Sequence, residues 1–290
     1  MIVSDCVEKS LNSLSQITNV NDPDVIFATT LSRGILKITG DAAGKFLQSI
    51  ITNDITTDGA IYAMMLSPQG RYLFDFFIVN LDGAYILDTD LYSLDALVTK
   101  LKLYKLRSNV VIENISNDYS VVYSRKPLFL SKMCEYKDPR FEKMGLRTIV
   151  KAVGNLGHTD IYLQDKYQYA IPDGEIDLIR DKSMPLEYGM DLLHSIDYNK
   201  GCYVGQEVIS RTKYQGVIRK QIFKIIAQEE LSASQGLEIM ASNKKIGTVC
   251  SCYKNQGIGL IRTEDYETSG DEDVTIGDIS VRLELPEWNL

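Results

Sequence analysis

The sequence predicts an α+β protein whose final quarter is a separate, all-antiparallel β-domain. Two observations carry that prediction. Across 34–114 the apolar spacing alternates between the period of a strand and that of a helix in the order β-α-β-β-β-α-β, a ferredoxin-like layout with an added strand. After Gly216 the pattern changes to short strands separated by Gly, Asn, Asp and Ser, the texture of a small antiparallel barrel or sandwich. Between these regions lies a polar, glycine-rich stretch, "YNKGCYVGQEVISRTKYQGVIRKQ" at 198–221.

Each element has its own signal. "GILKITG" (34–40) reads as a strand running into a helix on which Ala43, Phe46, Leu47, Ile50 and Ile51 share a face, with Asp41 as its expected N-cap. "AIYAMML", "RYLFDFFIVN" and "AYILDTD" form a meander through the turns "SPQG" and "LDG". Asp90 is the expected cap of a second helix, with Leu94, Leu97, Val98, Leu101 and Tyr104 on one face, and "NVVIEN" closes the unit. "KDPR" and "MGLR" mark turns beside short strands, and a helix over about 159–170 stops before "IPDG", because the residue before proline avoids helical backbone. "VIRKQIFKII", "LEIM", "KIGTVCSCY", "GIGLIR", "VTI" and "ISVRLEL" supply the strands of the last domain. The organisation expected is 1–215 and 216–290.

With 290 residues, 44% of them hydrophobic, the chain can bury a sizeable core. Its net charge of −8 argues against general affinity for nucleic acid or anionic membrane. The charge is uneven, however. Residues 198–224 hold six cations against Glu207 alone, a net +5, which leaves −13 on the remainder. A local basic segment on an acidic chain points to one anionic ligand or partner. No apolar run approaches the roughly 18 residues of a membrane span. Residues 1–24 hold no arginine, and the opening has no basic n-region, so neither a secretory signal nor a transit peptide is expected. Five scattered cysteines do not suggest a disulfide framework, and a reducing cytoplasm is the expected location.

In 198–221, "GQEVISRTKYQG" fits a short helix after Gly205, with Gly216 past its end and Glu207 paired with Arg211 four residues on. Cys202 falls just before that helix, and Lys200 lies two residues away. Helix N-termini and nearby cations stabilise a thiolate, the reactive form of cysteine. A cysteine that merely fills a glycine turn fits the same residues.

"KGCYVGQE" with an arginine four residues on resembles the hallmark of the YgfZ-type folate-binding proteins, relatives of the glycine-cleavage T-protein, an aminomethyltransferase. "GDAAGKFLQSIITND", "SPQGRYLFDFFI", "LYKLRSNVVIE", "DPR" followed by "GLR", "IPDG" and "PLEYGMDLL" resemble the family's successive landmarks in order. "GVIRKQIF" is similar to the branch containing the mitochondrial iron–sulfur assembly factor. The resemblance implies two interleaved α+β modules over 1–215 in a ring around a central folate channel, followed by a β-barrel over 216–290. It implies tetrahydrofolate, or a one-carbon derivative, as cofactor. It implies iron–sulfur assembly proteins or client enzymes as partners, tRNA-modification enzymes among the candidates, and no membrane.

By the same resemblance Cys202 is the functional thiol, Asp75 and Glu187 contact the folate, and Lys200 and Arg211 position the motif and attract the folate's glutamate tail. Asp75 sits in "YLFDFFIV", where it is expected to share a face with Leu73 and Phe77; from the residues alone it could equally be an aspartate paired inside the sheet. Glu187, in "PLEYG", is held by a turn, and a fixed carboxylate can accept two N–H bonds from a pterin edge; a surface glutamate is the alternative. True aminomethyltransferases carry paired aspartates where this chain has Asp75 followed by Phe76, which argues against aminomethyl transfer. A folate-dependent transferase and a tRNA-facing accessory protein remain the alternatives. Cys250 and Cys252 are expected to face one side of a strand with no second pair to complete a metal site, and His158 and His194 to be structural.

Overall fold

The structure, a computed structural model, describes residues 28–129, 131–152, 160–232, 234–269 and 273–290. The expectations about residues 1–24 and about His158 fall outside these residues. Strands β1 (Ala28–Leu31) and β2 (Arg33–Thr39) lead into helix α1 (Ala43–Ile50). The meander β3 (Ala60–Leu66), β4 (Tyr72–Leu81) and β5 (Ala84–Asp90) follows, then α2 (Leu94–Lys105) and β6 (Val111–Asn114). Next come β7 (Tyr119–Ser124), β8 (Lys132–Lys137), β9 (Leu146–Lys151), α3 (Ile161–Gln168), α4 (Gly174–Asp177), a 3-10 turn at Pro185–Tyr188, and α5 (Gln206–Gln215). The last domain holds β10 (Lys220–Ala227), β11 (Glu238–Ala241), β12 (Lys244–Tyr253), β13 (Gln256–Arg262), α6 (Thr263–Ser269), β14 (Val274–Ile276) and β15 (Ile279–Glu284).

The first sheet has the order β3-β4-β5-β2-β6, all antiparallel. The spacing that makes α1 and α2 amphipathic sets Phe46, Leu47 and Ile50 with Leu94, Leu97 and Leu101 against Leu36, Ile38, Phe74 and Phe76 on one face. Burying each such side chain stabilises the fold by about 1.5–3 kcal/mol. The second sheet, β1-β7-β9-β8, takes its first strand from before the first module: Ala28 lies opposite Ser124. The two modules are therefore threaded through each other. β10–β15 close into a six-stranded antiparallel barrel in the order β10-β13-β12-β11-β14-β15. A central core joins all three parts: Tyr62, Met64 and Phe77 from the first sheet, Val121 and Ile149 from the second, and Ile222, Ile258 and Leu260 from the barrel. The architecture is the predicted α+β one, and its closing domain is a barrel, not a sandwich.

Several local expectations need correction. The N-caps of α1 and α2 are Ala42 and Ser93, without side-chain cap bonds; Asp90 instead accepts the Tyr92 N–H in a local turn. On β4 a bulge at Leu73 shifts the register, since Met65 faces Phe74 while Leu66 faces Tyr72. Leu73 thereby joins the helix-side core and leaves Asp75 with Tyr72 and Phe77 on the central side. A second bulge at Cys250 on β12 separates the cysteine pair: Cys250 is buried in the central core, whereas Cys252 packs against the barrel core.

Candidate functional site

A cavity of about 290 Å³ lies where β1 and α4 meet the two sheets, lined among others by Arg33, Asp75, Arg147, Tyr162, Asp173 and Gly174. The bulge aims Asp75 toward it. The carboxylate accepts hydroxyl hydrogens from Tyr62 (2.9 Å) and Tyr72 (2.8 Å). Burial and then the charge of Asp75 hold both phenols well above their ordinary pKa, so both remain donors. The buried aspartate is thus paired within its own sheet.

Arg147, only 1% exposed, lines the cavity and has buried hydrogen-bonding capacity to spare. Its Nε donates to Asp88 Oδ2 at 2.8 Å. Nη2 lies 2.7 Å from the same oxygen but out of line for a hydrogen bond, and Nη1 is 3.7 Å from Asp138 Oδ2. Nη2 is thus ion-paired but not in line, and neither amino nitrogen has an in-line acceptor among the described residues. A buried donor left unmet costs about 1–3 kcal/mol, so this edge of the guanidinium calls for an acceptor oxygen.

Behind the cavity wall runs a chain of buried ions. Asp88 takes Arg33, Arg147 and the Tyr136 hydroxyl. Arg140 bridges Asp138 and Asp173, and the guanidinium carbons of Arg140 and Arg147 lie 5.0 and 4.1 Å from the Phe77 ring centroid. Lys166 joins Asp173 to Asp177, and Asp177 accepts the Ser251 hydroxyl from the barrel. Burial pushes the Asp88 and Asp173 carboxyls up, but their cationic neighbours outweigh it and hold both below the usual aspartate range.

The Cys202 motif sits elsewhere, on a fixed mount. Gly205 caps α5 with φ of +86°, and a Cβ there would lie 2.6 Å from the Ser67 carbonyl, so only glycine lets the loop press onto the "SPQG" turn. Tyr203 is buried, while Cys202 beside it is exposed. Lys200 is buried and donates to the carbonyls of Gln48, Ile51 and Asn53 near the end of α1. Arg211 pairs with Glu207 at 2.6 Å on the exposed face of α5, as the spacing predicted.

Of the five residues singled out in the sequence, only Asp75 lines the cavity. Glu187 is half-buried in the 3-10 turn, with Lys220 of the barrel 3.8 Å away. Lys200 turns its cation inward to backbone carbonyls and Arg211 pairs with Glu207 on the exposed face of α5, and neither lines that cavity. Sequence reasoning missed Arg147, Arg140, Asp173 and Lys166. Two of these are the arginines of "GLR" and "DPR", segments quoted as landmarks without a role.

The architecture is that of a glycine-cleavage aminomethyltransferase: aminomethyltransferase T from Bartonella henselae superposes with a TM-score of 0.66 at 12% identity, over 90% of this chain and 85% of that one. Within that fold class, residues 219–289 match the CAF17 C-terminal beta-barrel domain. The chain is 34% identical to the mitochondrial iron–sulfur cluster assembly factor IBA57 homolog of Mycosarcoma maydis, over 66% of this chain and 54% of the relative. It is 27% identical to mitochondrial IBA57 of Mus musculus, over 88% of this chain and 83% of the relative. The chain thus spans just over half the length of the fungal relative. These likenesses support the CAF17/IBA57 family on an aminomethyltransferase-type fold. The cytoplasmic expectation is corrected by the same comparison, since these relatives are mitochondrial by name.

Proposed function

We propose that this chain is a mitochondrial accessory factor in iron–sulfur protein assembly that presents the Cys202 thiol to a partner and binds tetrahydrofolate, or a one-carbon derivative, in the Asp75–Arg147 cavity. The observation that carries the reading is the exposed Cys202 on a loop anchored by buried Tyr203, buried Lys200 and a capping glycine. A thiol held outward on a rigid base suits contact with another protein. The names of the IBA57 relatives supply the direction, iron–sulfur assembly.

The cavity chemistry suits the folate ring. A pterin edge offers N–H donors to carboxylates such as Asp75 and Asp173, and an acceptor oxygen to the unmet nitrogens of Arg147. At about 290 Å³ the cavity is near the lower end of small-molecule sites, roughly 300–1,000 Å³, and takes the ring system rather than the whole cofactor. Glu187 as a pterin contact, and the YgfZ-type assignment, rest on the sequence resemblance alone. Aminomethyl transfer is disfavoured, because Phe76 stands where a second aspartate would be and is fully buried against the helices.

The test is genetic and calorimetric. In a strain lacking the gene, wild type should restore iron–sulfur enzyme activity and Cys202→Ser should not, while circular dichroism shows the variant folded. Full rescue by the serine variant sinks the thiol reading. Calorimetry with tetrahydrofolate should give saturable binding that weakens in Arg147→Met; no heat with the wild type sinks the folate reading. RNA affinity that falls steeply with salt would favour the tRNA-facing alternative instead.

A further inference from the structure

Two segments about 145 residues apart are stitched together beneath the Cys202 loop. Thr52 donates from Oγ1 to the Ser195 carbonyl at 2.6 Å, Asn53 donates from Nδ2 to the His194 carbonyl at 2.7 Å, and the Asp197 N–H donates to the Thr52 carbonyl at 3.0 Å. Lys200 completes the seam. Its Nζ donates to Gln48 O at 3.0 Å, Ile51 O at 2.7 Å and Asn53 O at 2.7 Å, a match of three donors to three acceptors around the end of α1.

Lys200 is 6% exposed and, among the described residues, makes no ion pair with a carboxylate. The ionisable groups facing it are Asp54 from the loop after α1, Asp197 from its own segment, and Tyr203, whose ring centroid is 5.3 Å from Nζ. Carbonyl dipoles return only part of the desolvation cost of a buried cation. Burial accordingly lowers the Lys200 pKa to about 8, with Asp54 and Asp197 pulling the other way.

We propose that Lys200 is the positioning residue of the Cys202 loop, a latch whose hydrogen bonds to the end of α1 are opposed by the cost of burying its charge. The significance for Cys202 rests on the functional-thiol reading; the latch itself does not. When the loop opens, the amine enters water and binds its proton more strongly. Protonation therefore favours opening, and the closed loop tightens as pH rises from about 8 toward the ordinary lysine pKa of about 10.4.

The test is backbone hydrogen exchange of the whole protein from about pH 6.5 to about pH 9.5, corrected for base catalysis of the intrinsic rate, followed at the Asp197 amide and its neighbours. Protection in the wild type should be flat below about pH 8 and rise by up to about tenfold per unit above it. In Lys200→Met, and in Lys200→Arg, which stays charged throughout, it should not change with pH. NMR of ε-carbon-labelled lysine provides a second measurement: the resonance lost in whichever variant folds should titrate near 8 in the wild type. Titration at 10 or above, or protection independent of pH in the wild type, overturns the latch. Cys202→Ser should keep the wild-type profile. If that variant rescues iron–sulfur enzymes, the thiol reading fails while the latch stands.

Discussion

Gly174 stands so close to the carboxylate of Asp75 that a Cβ on it would lie 2.0 Å from Oδ1, and 2.4 Å from the Tyr72 hydroxyl that the same oxygen accepts. The glycine of "IPDG" is therefore part of the cavity wall, and its missing side chain leaves the aspartate room for two tyrosines. Gly174→Ala must displace one of these groups. It should destabilise the protein by about 1–3 kcal/mol, seen as a lower urea midpoint at unchanged slope. An unshifted midpoint would mean that the wall relaxes freely.

Lys166 is fully buried between Asp173 and Asp177. Lys166→Met keeps the volume but leaves both carboxylates short of a counter-charge and weakens the tie to Ser251 in the barrel. The expected loss is about 3–5 kcal/mol. The double variant Lys166→Met with Asp177→Asn should recover part of it, since the uncompensated charge is removed. A double variant no better than the single one would place the cost in packing rather than charge.

Acid should unfold the chain through the same ions. Asp88 and Asp173 have folded-state pKa values held below the ordinary aspartate value, by Arg147 and Arg33 and by Lys166 and Arg140 respectively, against the opposing effect of burial. Their stabilisation is complete above that ordinary value of about 3.9 and is lost as pH falls below it toward the folded-state values. Urea midpoints should be level from about pH 7 down to about 5 and drop below about 4. Stability unchanged down to about pH 2 would contradict the ion-chain account.

Alkylation separates three of the described cysteines. Cys202 is exposed, Cys250 is buried with its thiol pushed up by burial, and Cys134 is pushed up to about 11 by burial and then by Asp88. Iodoacetamide at neutral pH should modify Cys202 faster than Cys134 or Cys250 by about tenfold or more, read by peptide mass spectrometry. Labelling of Cys250 at a comparable rate in the native protein would mean that the barrel opens away from the central core.

Local signals in the sequence were the most readable. "SPQG" and "LDG" located the meander, and the three- and four-residue apolar spacing located α1 and α2, because such patterns are set within one or two turns of chain. The caps were misjudged because Asp41 and Asp90 precede turns rather than the helices themselves. The two bulges were invisible, since one extra residue in a strand leaves the apolar pattern nearly intact while it reverses a side chain. The ion chain was illegible for a different reason. Asp88, Arg140, Arg147 and Lys166 look like ordinary surface charges until strands far apart in sequence bring them together. Of the predicted site, the exposure of Cys202 and the Glu207–Arg211 pair were readable from the spacing. That Lys200 turns inward was not, because its acceptors are backbone carbonyls about 150 residues away.

Of the described strands β1 is made first, yet its partner, β7, follows the whole first sheet in the chain. Until then it must wait as an unpaired edge, and the second sheet is completed by a contact reaching back across the first. Neither α+β module can then be released by a single cut in the chain. A fragment starting at β2 would lack an edge strand of the second sheet, and one ending at β6 would carry a strand with nothing to pair with. The barrel, continuous from β10 to β15, is the part of this protein that could be exchanged as a unit during evolution, whereas the two modules before it are obliged to change together.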